Sequence, residues 1–231
     1  MRAARRVGEQ REKAKAAMVP PFAMSLFADP AGSFTTAAAM VACVEKTLRE
    51  KKNLPLKGRK VAVFGATGVV GFSAAVIAGL EGADATLVGY DGIKRVSDAA
   101  AEIKARFEVD LRGADGSDDA KKAAILADTE VALCAGRAGV AILSRAQLAA
   151  APQLRVVADV NAVPPSGVEG LEMTANGAEL APNGVLGIGP LAIGNIKYKT
   201  EFGLFAKMIA AEKPVRLDFR DAFALARELN G

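Results

Sequence analysis

The chain has 231 residues, 51% of them hydrophobic and 24% charged, enough to bury a sizeable core and too apolar for a disordered chain. A net charge of only +4 and 5% aromatics without a single Trp argue against a nucleic-acid partner. No charge-free apolar run approaches the ~20 residues of a membrane span.

Histidine is absent, which removes Ser-His-Asp and Cys-His catalysis and His-based metal sites. Two cysteines, Cys43 and Cys134, make neither a disulfide framework nor a zinc spacing, so a cytoplasmic location and no metal are expected.

In chain order, residues 2–17 read as a solvated helix. "PFAMSLFADP" (21–30) reads as a short strand ended by Asp29-Pro30. "GSFTTAAAMVACVEKTLREKK" opens a long helix that Ser33, Thr35 or Thr36 can cap, with Lys and Arg at its C-terminal end. Strands are expected at 61–64, 85–89, 109–112, 131–136 and 155–160. Helices are expected from the glycine turn to Leu80, over 94–107, near 117–127 and from Ser144, where Ser144 and Gln147 have capping-box spacing. A glycine-rich stretch, "LGIGPLAIGNIKYK", leads into a helical segment, and a last helix follows Asp218 as N-cap. Strand–helix alternation with continuously apolar strands predicts an α/β fold: a doubly wound, Rossmann-like parallel sheet covered on both faces.

"KVAVFGATGVVG" places Gly65, Gly68 and Gly71 between an apolar strand and a helix. The spacing is GxxGxxG rather than GxGxxG, but the context is that of a dinucleotide turn. Gly65 permits the turn, Gly68 lets the backbone approach a pyrophosphate, and Gly71 allows close helix packing. Thr67 can add a hydroxyl, and Val69 opens the helix whose N-terminus faces the phosphates. Tyr90 and Asp91 end the second strand, where a carboxylate accepts hydrogen bonds from the adenine ribose. Asp91 favours NAD over NADP, while Lys94 and Arg95 just beyond can tolerate a 2′-phosphate.

Further strand ends carry Ala135 and Gly136 in "CAG", and Asp159 and Asn161 in "ADVNAVPPSG". Asn161 is a candidate to orient nicotinamide or substrate; Asp159 serves either the loop or the ligand. Ser33, Thr35 and Thr36 suit helix capping and ligand binding equally. Glycines 187, 189 and 194 would let the chain pass beneath a flat ligand, with Lys197 and Lys199 following.

"DPAGSFTTAAAMVACVEK", "GRKVAVFGATGVVG", "ADVNAVPPSGVEGLE" and "GVLGIGPLAIGNIKYKTEFGLFAKMI", in this order, resemble the methylene-tetrahydromethanopterin dehydrogenases of methylotrophic bacteria. The resemblance implies hydride transfer from methylene-tetrahydromethanopterin, or methylene-tetrahydrofolate, to NAD or NADP, giving the methenyl form in one-carbon oxidation. It makes Lys197 the active-site lysine and places Thr35 and Thr36 in the substrate cleft, where Ser33 and Asn161 are further substrate-binding candidates. The NADP-specific branch carries Arg-Lys where this chain has Tyr90-Asp91, which supports NAD or dual use. It further implies a homo-oligomer and a smaller substrate domain built from both chain ends. The expected boundaries are a substrate-domain remnant with connecting helix at 1–50, the dinucleotide domain at 51–197 and returning helices at 198–231. Family members begin with a βα segment upstream of "RRVGEQREKAK", so a shortened substrate domain or a misplaced start is expected. The alternatives are a non-catalytic dinucleotide-binding protein and a dehydrogenase of another small substrate.

Overall fold

The computed structural model describes residues 12–19 and 21–231. Helix is seen over 12–17 (α1), the describable part of the predicted 2–17 helix; the remainder lies outside the described residues. The predicted strand at 21–30 shrinks to β1 (Leu26–Phe27), which pairs in parallel with β9 (Arg216–Leu217) near the other chain end.

Helix α2 (Ser33–Thr47) continues through a π turn, Leu48–Lys52. Ala37 through Val44 are all buried, so the helix is apolar around its circumference and lies inside the molecule. Its cap differs from expectation. Gly32 is the N-cap and offers no side chain; instead the Asp29 carboxylate accepts from Phe34 N (2.6 Å) and Thr35 N (3.4 Å).

Then come β2 (Lys60–Phe64), α3 (Val69–Leu80), β3 (Asp84–Gly89), α4 (Lys94–Phe107), β4 (Arg112–Asp115), α5 (Asp119–Leu126), β5 (Val131–Cys134), α6 (Arg145–Ala149) and β6 (Val156–Asp159). The chain closes with β7 (Asn176–Ala181), β8 (Val185–Ile188), α7 (Pro190–Ala210), β9 and α8 (Phe219–Asn230). The seven-stranded sheet has the order β4-β3-β2-β5-β6-β8-β7, and every neighbouring pair is parallel except β7 with β8. No helix among the described residues is long and apolar enough to cross a membrane.

Alternate residues of the apolar strands feed two cores. Val61, Val63, Val131, Leu133, Val156 and Ala158 pack with α2, α3, α4 and α8, while Ala62, Phe64, Ala132, Cys134 and Val157 pack with α5 and α6. This is the two-faced burial that continuous apolar strands require. Helix α2 belongs to the same core as β2, and Lys197, the expected end of the dinucleotide domain, lies within α7.

Two caps appear as the sequence indicates. Ser144 and Gln147 form a reciprocal capping box, and Asp218 caps α8 with Asp221 completing the box. Strand β4 lies three residues later than predicted. Val109 is buried and sits in the space left by Gly79, so the ladder to β3 falls to Arg112–Asp115. The β7–β8 hairpin has no counterpart among the expected elements. Bulges interrupt β7, whose burial pattern shows no alternation, and Gly184 at φ 78° closes the turn.

Candidate dinucleotide and substrate site

Because six strands run parallel, the loops at 65–68, 90–93, 135–142 and 160–167 and the start of α7 leave one edge of the sheet. The strand order reverses between β2 and β5, and that switch point is where open α/β sheets bind ligands.

The three glycines do different work there. Gly65 has φ 76°, and a Cβ on it would lie 2.2 Å from Ala135 O, so the turn after β2 closes directly on the end of β5. A Cβ on Gly71 would lie 2.5 Å from Gly65 O, so α3 packs tightly under the turn. At Gly68 the nearest atom is Gly65 O at 3.3 Å and the residue is exposed. The cradle is therefore closed by Gly65 and Gly71 and open at Gly68. Gly68 is the N-cap of α3 without a side-chain cap, which leaves the first amides, including Val69, for an anion. These residues fit a dinucleotide's pyrophosphate. Gly136 faces Ile142 instead: a Cβ there would lie 2.6 Å from Ile142 Cδ1.

Asp91 and Tyr90 are exposed at the end of β3, and both engage Arg95. Arg95 Nη1 donates to Asp91 Oδ2 (2.8 Å) and to the Tyr90 hydroxyl (3.0 Å), while Nη2 donates to Thr67 Oγ1 (3.3 Å). Its guanidinium carbon lies 5.6 Å from the Tyr90 ring centroid. Lys94 turns to Asp98 at 3.1 Å.

Asp159 is fully buried and anchors the proline loop. It accepts from Asn161 N (3.0 Å), Gly167 N (2.7 Å) and Val168 N (3.2 Å). Burial pushes its carboxyl above the ordinary value, and the three backbone donors pull against that rise. Asn161 is 6% exposed; its amide oxygen accepts from Gly139 N and Val163 N, and its nitrogen donates to Pro165 O. It shapes the rim of the site by joining two loops. Cys134 pairs across the ladder with Asp159, and burial holds its thiol well above the usual range. Burial likewise pushes the Cys43 thiol up to about 11.

The chain ends meet at Lys197. Its ammonium pairs with Glu201, one turn along α7, and its side chain fills the space beside Gly32: a Cβ there would lie 2.8 Å from Lys197 Cε. Gly32 thus needs both its left-handed φ of 68° and its missing side chain. Thr35 is fully buried, with its hydroxyl donating to Asp29 Oδ2 (2.6 Å), and Thr36 Oγ1 donates to Gly32 O (2.7 Å). Both hydroxyls serve the helix start, whereas Ser33 is only half-buried. Of the glycines thought to underlie a flat ligand, Gly187 packs on Leu171 and Gly189 on the carbonyls of Glu172 and Met173. Only Gly194 faces open space.

Sequence reasoning missed Glu201 and Asp29. The first stands at i+4 from Lys197, a spacing readable on any helix. The second precedes a helix start, at a position that in sequence reads as the end of a strand.

Fold and site define a dinucleotide-binding α/β protein of the dehydrogenase type. The chain is 49% identical over 220 residues to the NAD(P)-dependent methylenetetrahydromethanopterin dehydrogenase of Methylorubrum extorquens, covering 95% of this chain and 74% of that one. It is 35% identical over 218 residues to the bifunctional protein MdtA of the same organism, covering 94% and 73%. The chain belongs to the NAD(P)-dependent methylenetetrahydromethanopterin dehydrogenase family. No family model matches. Among solved structures, the L-tryptophan dehydrogenase of Nostoc punctiforme shares the fold at TM-score 0.52 and 18% identity, over 86% of this chain and 50% of that one. The shikimate 5-dehydrogenase of Listeria monocytogenes does so at 0.51 and 14%, over 87% and 78%.

Proposed function

We propose that this protein transfers a hydride from the methylene bridge of methylene-tetrahydromethanopterin, or a related pterin, to NAD or NADP. The observation that carries the reading is the 49% identity to a dehydrogenase of that name along nearly the whole chain. The geometry agrees with it: the glycine cradle and the Lys197–Glu201 pair belong to elements that leave the same edge of the sheet.

The bound nicotinamide supplies the hydride acceptor. The methylene carbon lies between two amine nitrogens, and loss of hydride leaves a methenyl cation delocalised over N–C–N. No proton moves in that step, so a chain without histidine is equipped for it. Gly65, Gly68 and Gly71 with the α3 N-terminus hold the pyrophosphate, Asp91 and Tyr90 take the adenosine end, and Ala135 and Gly136 line the crevice. Lys197 donates to the pterin ring and fixes it against the acceptor, with Ser33 at the cleft rim. Glu201 offsets the lysine charge, which would otherwise oppose the developing cation.

The protein works in the cytoplasm as a homo-oligomer. Supporting association, α7 buries Ile193, Ile196, Thr200 and Leu204 on one side and leaves Tyr198, Phe202, Phe205 and Ile209 exposed on successive turns of another. The test is purified protein with methylene-tetrahydromethanopterin and NAD or NADP, followed by absorbance of the reduced nucleotide. Substrate-dependent reduction supports the reading; tight nucleotide binding without reduction would leave only a binding protein.

A further inference from the structure

Three side chains from two separate strand–turn–helix units converge on one guanidinium. Thr67 belongs to the turn after β2, Tyr90 and Asp91 to the end of β3, and Arg95 to the first turn of α4. Arg95 is about half exposed, as is its pair with Asp91. An exposed pair of this kind is worth only ~0–1 kcal/mol, so it exchanges partners at little cost. Arg95 also has donors on both Nη atoms, the fork that matches two phosphate oxygens.

We infer that Arg95 is the residue that lets this site accept both dinucleotides. With a free ribose 2′-hydroxyl, Arg95 stays on Asp91 and Tyr90, and Asp91 accepts from the ribose. With a 2′-phosphate, the phosphate repels Asp91, and Arg95 leaves the carboxylate for the phosphate oxygens. Its contact with Thr67 keeps it beside the glycine turn, and Tyr90 holds its flat face during the exchange. Asp91 alone would select NAD. The Asp91–Arg95 pair makes the choice conditional on the ligand. This inference rests on the dinucleotide reading of the glycine turn.

The test is calorimetric binding of NAD, NADP, 5′-AMP and 2′,5′-ADP to the wild type and to Arg95→Met and Arg95→Lys, with circular dichroism to verify folding. Arg95→Met keeps the length of the stem and removes the fork. The ratio of NADP to NAD affinity is expected to fall by about ten-fold or more, as loss of one charge-assisted contact implies. The ratio for 2′,5′-ADP over 5′-AMP should fall in parallel, and Arg95→Lys should lie between. In the wild type, added salt should weaken NADP more than NAD. An unchanged ratio in folded Arg95→Met overturns the inference, as does a wild type that binds 5′-AMP but not 2′,5′-ADP. A wild type that binds none of the four overturns the dinucleotide reading, and this inference with it.

Discussion

Lys197 forms an ion pair with Glu201 one turn along α7, while its stem lies against Gly32 at the start of α2. The stem's contact with Gly32 joins the two chain regions, and the pair gives a cationic donor that is locally compensated. Lys197→Ala should lower kcat/KM for the pterin by ~10²-fold or more, the cost of a misplaced reactant. Nucleotide affinity should barely move. Near-normal turnover in a folded variant would leave Lys197 only a packing role beside Gly32.

Glu201→Gln makes a sharper distinction. It leaves the lysine in place and removes the compensating charge. An unopposed ammonium opposes the methenyl cation more than it opposes the neutral substrate. The effect should therefore appear as a fall in kcat, by ~10-fold, with KM little altered. A change confined to KM would mean that Glu201 only positions the lysine.

Asp91→Ala removes ribose hydrogen bonds and the repulsion of a 2′-phosphate, and it also frees Arg95 from its pair. The NADP/NAD ratio of kcat/KM should rise, by ~10-fold for a contact worth ~1.4 kcal/mol. A constant ratio would make Asp91 a turn residue.

The exposed stripe on α7 gives a test of association. Phe202 is 67% exposed and Phe205 49%, both away from the buried Thr200 and Leu204. Phe202→Lys with Phe205→Lys should shift sedimentation toward a smaller species without loss of melting cooperativity. An unaltered sedimentation coefficient would remove this face from the interface.

Much of this architecture is legible in the sequence because it is local. The alternation of apolar strands with helices, the glycine turn, the Ser144–Gln147 box and the Asp218 cap each depend on residues a few positions apart. What was not legible depends on distant partners or on broken periodicity. Thr35 looks like a cleft hydroxyl until packing of α2 buries it fully, with Asp29 as its partner. Arg95 meets Thr67 only because β2 and β3 are neighbours. β7 carries bulges that erase the period of two. Asn161 ties the 139 and 165 loops together through its amide, partners that no local spacing shows.

The glycine turn yields the most discriminating prediction, because the three glycines should fail in different ways. Gly65 sits at φ 76° with a would-be Cβ 2.2 Å from the Ala135 carbonyl oxygen, and that neighbour is backbone. Gly65→Ala thus adds left-handed strain of ~1–2 kcal/mol to a collision that only a backbone shift relieves. Gly71→Val meets the Gly65 backbone at 2.5 Å and should force α3 off the turn. Both should lower the melting temperature clearly, by ~2–4 °C for each kcal/mol in a chain of this size. Gly68 differs: its φ of −79° and ψ of 165° suit any residue, and a Cβ finds only Gly65 O at 3.3 Å. Gly68→Val should therefore fold, melting within a few degrees of wild type, while its branched side chain occupies the approach to the α3 amides. NAD affinity should fall by at least ~10-fold, a loss of ~1.4 kcal/mol. Thermal melts and calorimetry on the three variants separate stability from binding. Unchanged NAD affinity in a folded Gly68→Val protein would remove the dinucleotide from this turn.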